Sequence, residues 1–422
     1  MLKLLPKSIY ARNVMTLITG AGMAQAIPIA ISPILTRIYS PENFGLFAFY
    51  MSIASVLVVF ATGRYELAIV LPKRDRDAMH IVVLSIALSC LVSIFLFIII
   101  LIFNSQITQL TRNSEISPWL YWIPVSTLFM GIYQSLIYWC NRQAKYKRLA
   151  ISRTVQGSST GLLQLGVGVI AGGAAGLVAG DVGGRALSST ILAKSVYIEN
   201  REIIFRVKKI KILAIAKKYI DFPKYLIFAH SINTISFQLP IILLGTLFNS
   251  AVPGLYMLMQ RIMSAPLSLI AGAVGDVFRQ EASAAYIHKG NCKEIFEKTF
   301  KKLFVISFLP FLVFFFIAPD LFEFIFGLEW RAAGEYAKIL TPMFFMQFIT
   351  NPLSAMFLIA EKQRVDLVWQ IALFFAVFLS LYVGHLYFDI NGTLISFSFS
   401  YSVMYFICGI LSYRMSCGEG VL

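Results

Sequence analysis

The sequence predicts an all-α integral membrane protein, with about twelve transmembrane helices in two similar halves of six and both termini in the cytoplasm. Three observations carry the prediction. Of 422 residues, 58% are hydrophobic and only 14% charged, whereas a soluble domain carries nearer a quarter of its residues as charges. Long apolar stretches recur along the whole chain, each near the ~20 residues that cross ~30 Å of hydrocarbon. Lys and Arg gather on alternate connections between these stretches, as the positive-inside rule requires.

The expected spans are 14–36, 44–71, 79–103, 119–140, 151–171, 175–197, 224–248, 254–278, 303–326, 338–360, 367–388 and 393–413. The first is too long for the apolar core of a cleaved signal and more spans follow it, so it reads as a retained anchor. The second is long enough to require tilt, a kink or a cytoplasmic extension. With the N-terminus inside, 29 of the 36 Lys and Arg lie on inner segments and four on outer ones: Arg37, Arg112, Arg331 and Lys338. This asymmetry accounts for the net charge of +15 as a topology determinant and a phospholipid contact, and argues against nucleic acid.

The halves echo each other. Pro33-Ile34-Leu35 followed by Gly45-Leu46-Phe47 matches Pro240-Ile241-Ile242 followed by Gly254-Leu255-Tyr256. Six spans per half give both halves one orientation, hence a parallel repeat. The domains expected are 1–198, a cytoplasmic linker 199–222 and 223–422. The linker mixes Ile203, Ile204, Phe205, Val207, Ile210, Ile212 and Leu213 with lysines, the pattern of an amphipathic helix on the inner surface.

No enzyme motif is present: no GxSxG, no HExxH, no phosphate loop, no His/Cys cluster. The five cysteines are scattered, as packing residues are. No catalytic residue, metal or cofactor is expected. The informative residues are charges within spans, since a charge at mid-bilayer costs about 3 kcal/mol or more and survives by facing a cavity or a partner. Arg185 lies near the middle of span six, with Asp181 four residues earlier on the same helix face to neutralise it. Arg64 lies roughly 10 Å from the inner end of span two. Arg64 and Glu66, two apart, do not face each other on one helix, so each is expected to need a partner on another span, or water. Arg261 follows Gln260 and has no acid within one turn, which makes it the leading candidate to contact an anion. Gln25, Ser32 and Thr36 in span one, and His230 to Gln238 in span seven, are polar enough to line a wet interior, although such residues also join helices.

Leu35-Thr36-Arg37-Ile38-Tyr39-Ser40-Pro41-Glu42-Asn43-Phe44-Gly45, then Gly63-Arg64-Tyr65-Glu66-Leu67-Ala68-Ile69-Val70-Leu71-Pro72, resemble the Wzx-type lipid-linked oligosaccharide flippases. So do Asn141-Arg142 with Lys147-Arg148, Phe222-Pro223, Gln238-Leu239-Pro240, and Gly254-Leu255-Tyr256 through Gln260-Arg261, Pro266, Val277-Phe278 and Glu281. The family belongs to the multidrug/oligosaccharidyl-lipid/polysaccharide exporter superfamily. The resemblance implies a MATE-like fold of two six-helix lobes around a central cavity. It implies transport of an undecaprenyl-diphosphate-linked oligosaccharide from the inner to the outer leaflet of a bacterial inner membrane, for O-antigen, capsule or exopolysaccharide assembly.

On that reading Arg261, Arg64, Arg185, Gln260 and Gln25 are the expected substrate contacts. Asp181, Glu66 and His230 are the candidate carriers for a coupling H+ or Na+. A polysaccharide polymerase and a chain-length regulator are expected partners. The alternatives are an ion-coupled multidrug exporter of the same superfamily, which would need unpaired acids for cationic drugs, and a membrane polymerase or ligase, which would need a sizeable outer loop.

Overall fold

The computed structural model describes residues 9–111 and 114–418. Lys3, Lys7 and Arg112, three of the charges that enter the orientation argument, lie outside them. The chain forms two compact units, Met1–Gln238 and Leu239–Leu422.

The first unit contains α1 (Ile9–Ile38), α2 (Pro41–Ala61), α3 (Asp75–Leu110), α4 (Ile123–Arg142), α5 (Tyr146–Ala171), α6 (Gly173–Phe205), the short α7 (Lys209–Lys218) and the start of α8 (Ile227–Leu247). Local sequence explains where they begin. The Ser40 hydroxyl accepts from the Asn43 N–H, Pro41 occupies the first turn, and Glu42 complements the helix dipole of α2. Helices α5 and α6 pack backbone to backbone. A Cβ on Gly180 would come within 2.6 Å of the Gln164 nitrogen, and one on Gly184 within 2.7 Å of the Thr160 nitrogen. Only small residues allow this approach, which substitutes for the hydrophobic drive that lipid does not supply. Tyr39 then ties α1 to α5, its hydroxyl donating to the Gln164 carbonyl at 2.5 Å.

The second unit holds the rest of α8, then α9 (Ala251–Pro266), α10 (Gly272–Lys289), α11 (Lys293–Phe326), α12 (Arg331–Leu353), α13 (Gln363–Tyr387) and α14 (Ile390–Ser416). A π turn, Leu267–Ala271, joins α9 to α10. Gly334 sets the approach of α12 to α11, since its Cβ would lie 2.5 Å from the Ala318 carbonyl oxygen. Phe300, Phe304 and Phe308 stack along α11, and Phe345 of α12 meets Phe304 edge-on at 5.7 Å.

Among the described residues, eight helices are long and apolar enough to cross a membrane, or nine if Ser114–Leu120 and α4, bent by 46°, form one pass. The remaining expected spans are α1, α5 and α6. At 30, 26 and 33 residues they are long enough to cross at ~1.5 Å per residue. In α5 and α6, Gly, Ser, Thr and Gln replace apolar bulk because those faces pack on helices rather than lipid.

Two expectations need correction. The stretch 44–71 is not one helix: α2 stops at Ala61, and a separate 3-10 turn, Tyr65–Val70, follows. The stretch 199–222 is not a single linker helix either, because α6 runs on to Phe205 with a kink at Asn200. Ile203, Ile204, Val207, Ile215, Ala216 and Tyr219 pack against a core containing Tyr65, Ile69, Met79 and Trp139, while Ile210 and Leu213 remain exposed. The Tyr65 hydroxyl donates to the Ala216 carbonyl at 3.0 Å, and the Lys208 N–H donates to His80 Nε2 at 3.3 Å.

The orientation has a direct check. A reporter enzyme active only outside the cytoplasm should be active when fused after Gly327 or Asn391, and silent after Asp75 or Gly290. Activity at either of the latter sites would reverse the orientation.

Candidate functional site

The break after α2 builds the most distinctive charged site. Thr62 ends the helix, and Gly63 and Arg64 both take left-handed backbone angles, with φ of 59° and 60°. That conformation is natural for glycine but costs an L-residue such as arginine roughly 1–2 kcal/mol. The turn is held by the Gly63 N–H donating to the Phe60 carbonyl and the Tyr65 N–H to the Thr62 carbonyl, at 3.1 and 3.2 Å. Arg142 caps the far end of the following 3-10 helix, donating to the Ile69 and Val70 carbonyls at 3.2 Å and to Asp75 Oδ1 at 2.9 Å.

The result overturns one sequence expectation. Arg64 and Glu66 do meet, with Nη1 to Oε1 at 3.2 Å, because they sit on a turn and not on a continuous helix. Glu66 is fully buried, and its other carboxylate oxygen accepts from the Thr62 hydroxyl. Arg64 Nε is shielded from solvent and makes no hydrogen bond. A buried donor left in that state costs about 1–3 kcal/mol. Tyr138 of α4 and His230 of α8 lie within electrostatic reach of the pair. Three of the expected residues, Arg64, Glu66 and His230, thus share one neighbourhood in the first unit.

Asp181 and Arg185 form a second, separate pair along α6, with Nε to Oδ2 at 2.7 Å and both side chains 10% exposed. Arg185 Nη2 also approaches Met51 Sδ at 3.7 Å. Tyr50, whose hydroxyl lies 2.5 Å from the Ser126 hydroxyl, sits in the field of both charges. The neutralisation expected from the four-residue spacing is present. Gln25 is exposed on α1 and is engaged by an interaction of its own.

In the second unit, Gln260 and Arg261 are half-buried on α9, one turn beyond the buried Tyr256. Arg261 is likewise engaged within the protein. A further polar cluster, which includes Gln347 of the tenth expected span, lies on α12 and α14. There the Tyr401 and Tyr405 hydroxyls are 3.4 Å apart and Gln347 donates to Tyr405 at 3.5 Å. Tyr401 and Tyr405 are one turn apart on α14, and tertiary packing brings Gln347 of α12 to them. Among the described residues no group of His, Cys, Asp and Glu could hold a metal ion.

At the inner ends of α5 and α6, Glu199 bridges Lys145 and Arg148, each at 2.7 Å. Hydrogen bonds from Lys145 and then Arg148 hold its carboxyl below the usual carboxylate range.

A protein-family model described as "Polysaccharide biosynthesis protein" matches residues 34–335. The chain belongs to this family. Solved structures agree on the fold. A multidrug resistance MATE family transporter of the MOP superfamily, in an inward-facing conformation, is 15% identical over 95% of this chain and 94% of its own, with a TM-score of 0.71. A MOP superfamily transporter from Pyrococcus furiosus, described by the reverse polarity of its binding pocket, is 14% identical over 97% of both chains, with a TM-score of 0.62. No curated protein matches the sequence. This member of the polysaccharide biosynthesis family therefore has the all-α fold of MOP-superfamily transporters.

The Arg64 turn predicts strong coupling between its charges. Glu66→Leu should reduce folded protein sharply, by about 3–5 kcal/mol, because it strands a mostly buried arginine. Adding Arg64→Met should restore much of that loss. A double-mutant cycle on thermal stability in detergent measures this, and strictly additive effects would show that the pair is not coupled.

Proposed function

We propose that this protein moves an undecaprenyl-diphosphate-linked oligosaccharide repeat unit from the cytoplasmic to the outer leaflet of a bacterial inner membrane by alternating access. The product would feed O-antigen, capsule or exopolysaccharide assembly, with a polymerase and a chain-length regulator acting next. The observation that carries this reading is the family match across residues 34–335, on a fold shared with membrane transporters.

The chemistry of the spans supports it. A diphosphate cannot cross hydrocarbon bare, and a guanidinium replaces its water with charge-assisted, two-pronged hydrogen bonds. Arg64 keeps a buried Nε–H without a partner, and Arg261 lies half-buried within a span. Gln260, Gln25 and Arg185 are the further proposed contacts. Glu66, Asp181 and His230 are the proposed carriers if H+ or Na+ drives the cycle, since each is an ionisable group inside a membrane unit.

A multidrug exporter is the less favoured reading. Cationic drugs call for an available acid, whereas Glu66 and Asp181 are each taken by an arginine. Nor is an enzyme favoured, since the sequence carries no hydrolase, metalloprotease or phosphate-loop motif. The fold alone is shared with the multidrug transporters.

Deleting the gene should abolish surface polysaccharide and leave the lipid-linked repeat unit accumulating inside the cell. Arg261→Ala should cut surface polysaccharide about tenfold or more at unchanged membrane abundance, from the loss of a charge-assisted contact worth about 1.5–3 kcal/mol. Arg261→Lys should recover little, because an ammonium lacks the fork. Normal surface polysaccharide in the deletion strain would refute the function. Full transport by Arg261→Ala would refute the role of that residue alone.

A further inference from the structure

A groove with a volume of about 970 Å³ opens within the second unit, between α11, α12 and α14. Its lining is graded. On α11, Phe296 and Glu297 stand at one end, Phe300 and Lys301 follow one turn on, and Phe304 lies beyond them. On α14, Arg414 and Tyr413 stand at that same end, and Ile410, Gly409 and Phe406 lead away. From Arg414 to Phe406 is eight residues, roughly 12 Å of helix. One end is therefore charged and the remainder is aromatic and aliphatic, completed by Phe345, Met346 and Ile349 of α12.

The charges at the mouth are unequally occupied. Glu297 accepts from the Tyr413 hydroxyl at 3.1 Å and lies 3.9 Å from Lys293. Lys301 and Arg414 are exposed, and among the described residues neither has a salt-bridge partner. The inner ends of α5 and α6 in the first unit offer a contrast. The basic residues there, Lys145 and Arg148, are already joined by Glu199. The second-unit groove thus presents two free cations above an apolar channel that the protein leaves unfilled.

We propose that this groove binds an anionic phospholipid of the inner leaflet, with an acyl chain along Phe300, Phe304, Phe406 and Ile410 and the phosphate between Lys301 and Arg414. The charge complementarity selects the occupant. A phosphodiester matches two unpaired cations, and an uncharged glycerol headgroup adds no ammonium to oppose them. The basic end lies on the inner side in the orientation set by the Lys and Arg asymmetry, which is the leaflet where juxtamembrane cations meet anionic lipid. Glycine at position 409 lets α14 approach α12 closely beside the groove, since its Cβ would come within 3.2 Å of Thr350 Cγ2. The site lies wholly within one unit.

The test is thermal unfolding of the purified full-length protein in detergent, titrated with phosphatidylglycerol or with phosphatidylcholine of the same chains. Phosphatidylglycerol should raise the melting temperature in a saturable way and phosphatidylcholine should not. The double variant Lys301→Gln/Arg414→Gln should weaken the apparent affinity about tenfold or more, from the loss of two charge-assisted contacts. Lys298→Gln/Lys302→Gln, which removes the same charge outside the groove, should leave it unchanged. Equal shifts with both lipids, equal losses in both double variants, or the same shift from inorganic phosphate alone would each overturn the proposal. So would preferential binding of undecaprenyl phosphate, which would assign the groove to a carrier lipid instead.

Discussion

A charge that leaves water inside a membrane protein must find its counter-charge in place, and the first unit is organised around that demand. Glu66 is fully buried and would be untenable alone. The left-handed turn at Gly63 and Arg64 brings the guanidinium to it, and Thr62 serves the other oxygen. The left-handed backbone at Arg64 and the break in the second span accompany this one ion pair. Arg142 repeats the principle at the other end of the turn, capping carbonyls that no helix continues to satisfy. Asp181 and Arg185 meet the same demand more simply, one turn apart on an unbroken helix.

Packing between helices follows a second rule, set by the solvent. Lipid does not drive apolar surfaces together, so close contact must come from small residues and hydrogen bonds. Gly180 and Gly184 against Gln164 and Thr160, with the Tyr39 hydroxyl on the Gln164 carbonyl, supply both in the first unit. Gly334 against Ala318 supplies the first in the second unit. The cost is lower apolarity in α5 and α6, which is why their spanning character is plainer from their length than from their composition.

Much of this was legible in the amino-acid order. Hydrophobic runs and the asymmetry of Lys and Arg give the all-α membrane class, and the four-residue spacing of Asp181 and Arg185 gives their pairing. Helix periodicity misled at Arg64 and Glu66 because it assumes an unbroken helix across 44–71. Gly63, set between Thr62 and Arg64, was the available sign of a break, but glycine is common within membrane helices and does not by itself end one. The pairing of Tyr50 with Ser126, and of Gln347 with Tyr405, could not be read locally, since tertiary packing brings them together. Arg261 was singled out by the absence of a nearby acid, yet it is engaged within the folded protein. Neighbours in sequence do not exhaust neighbours in space.

The family match gives polysaccharide biosynthesis, and the solved structures give the fold. The account is tested most directly by purified protein in liposomes carrying a fluorescent undecaprenyl-diphosphate-linked oligosaccharide. The fraction of head groups exposed to a membrane-impermeant quencher is then followed in time. Head groups that begin in the shielded leaflet should become accessible only in protein-containing vesicles, at a rate that scales with protein. Head groups that stay shielded for as long as in protein-free vesicles, under an imposed H+ or Na+ gradient of either sign, would contradict it.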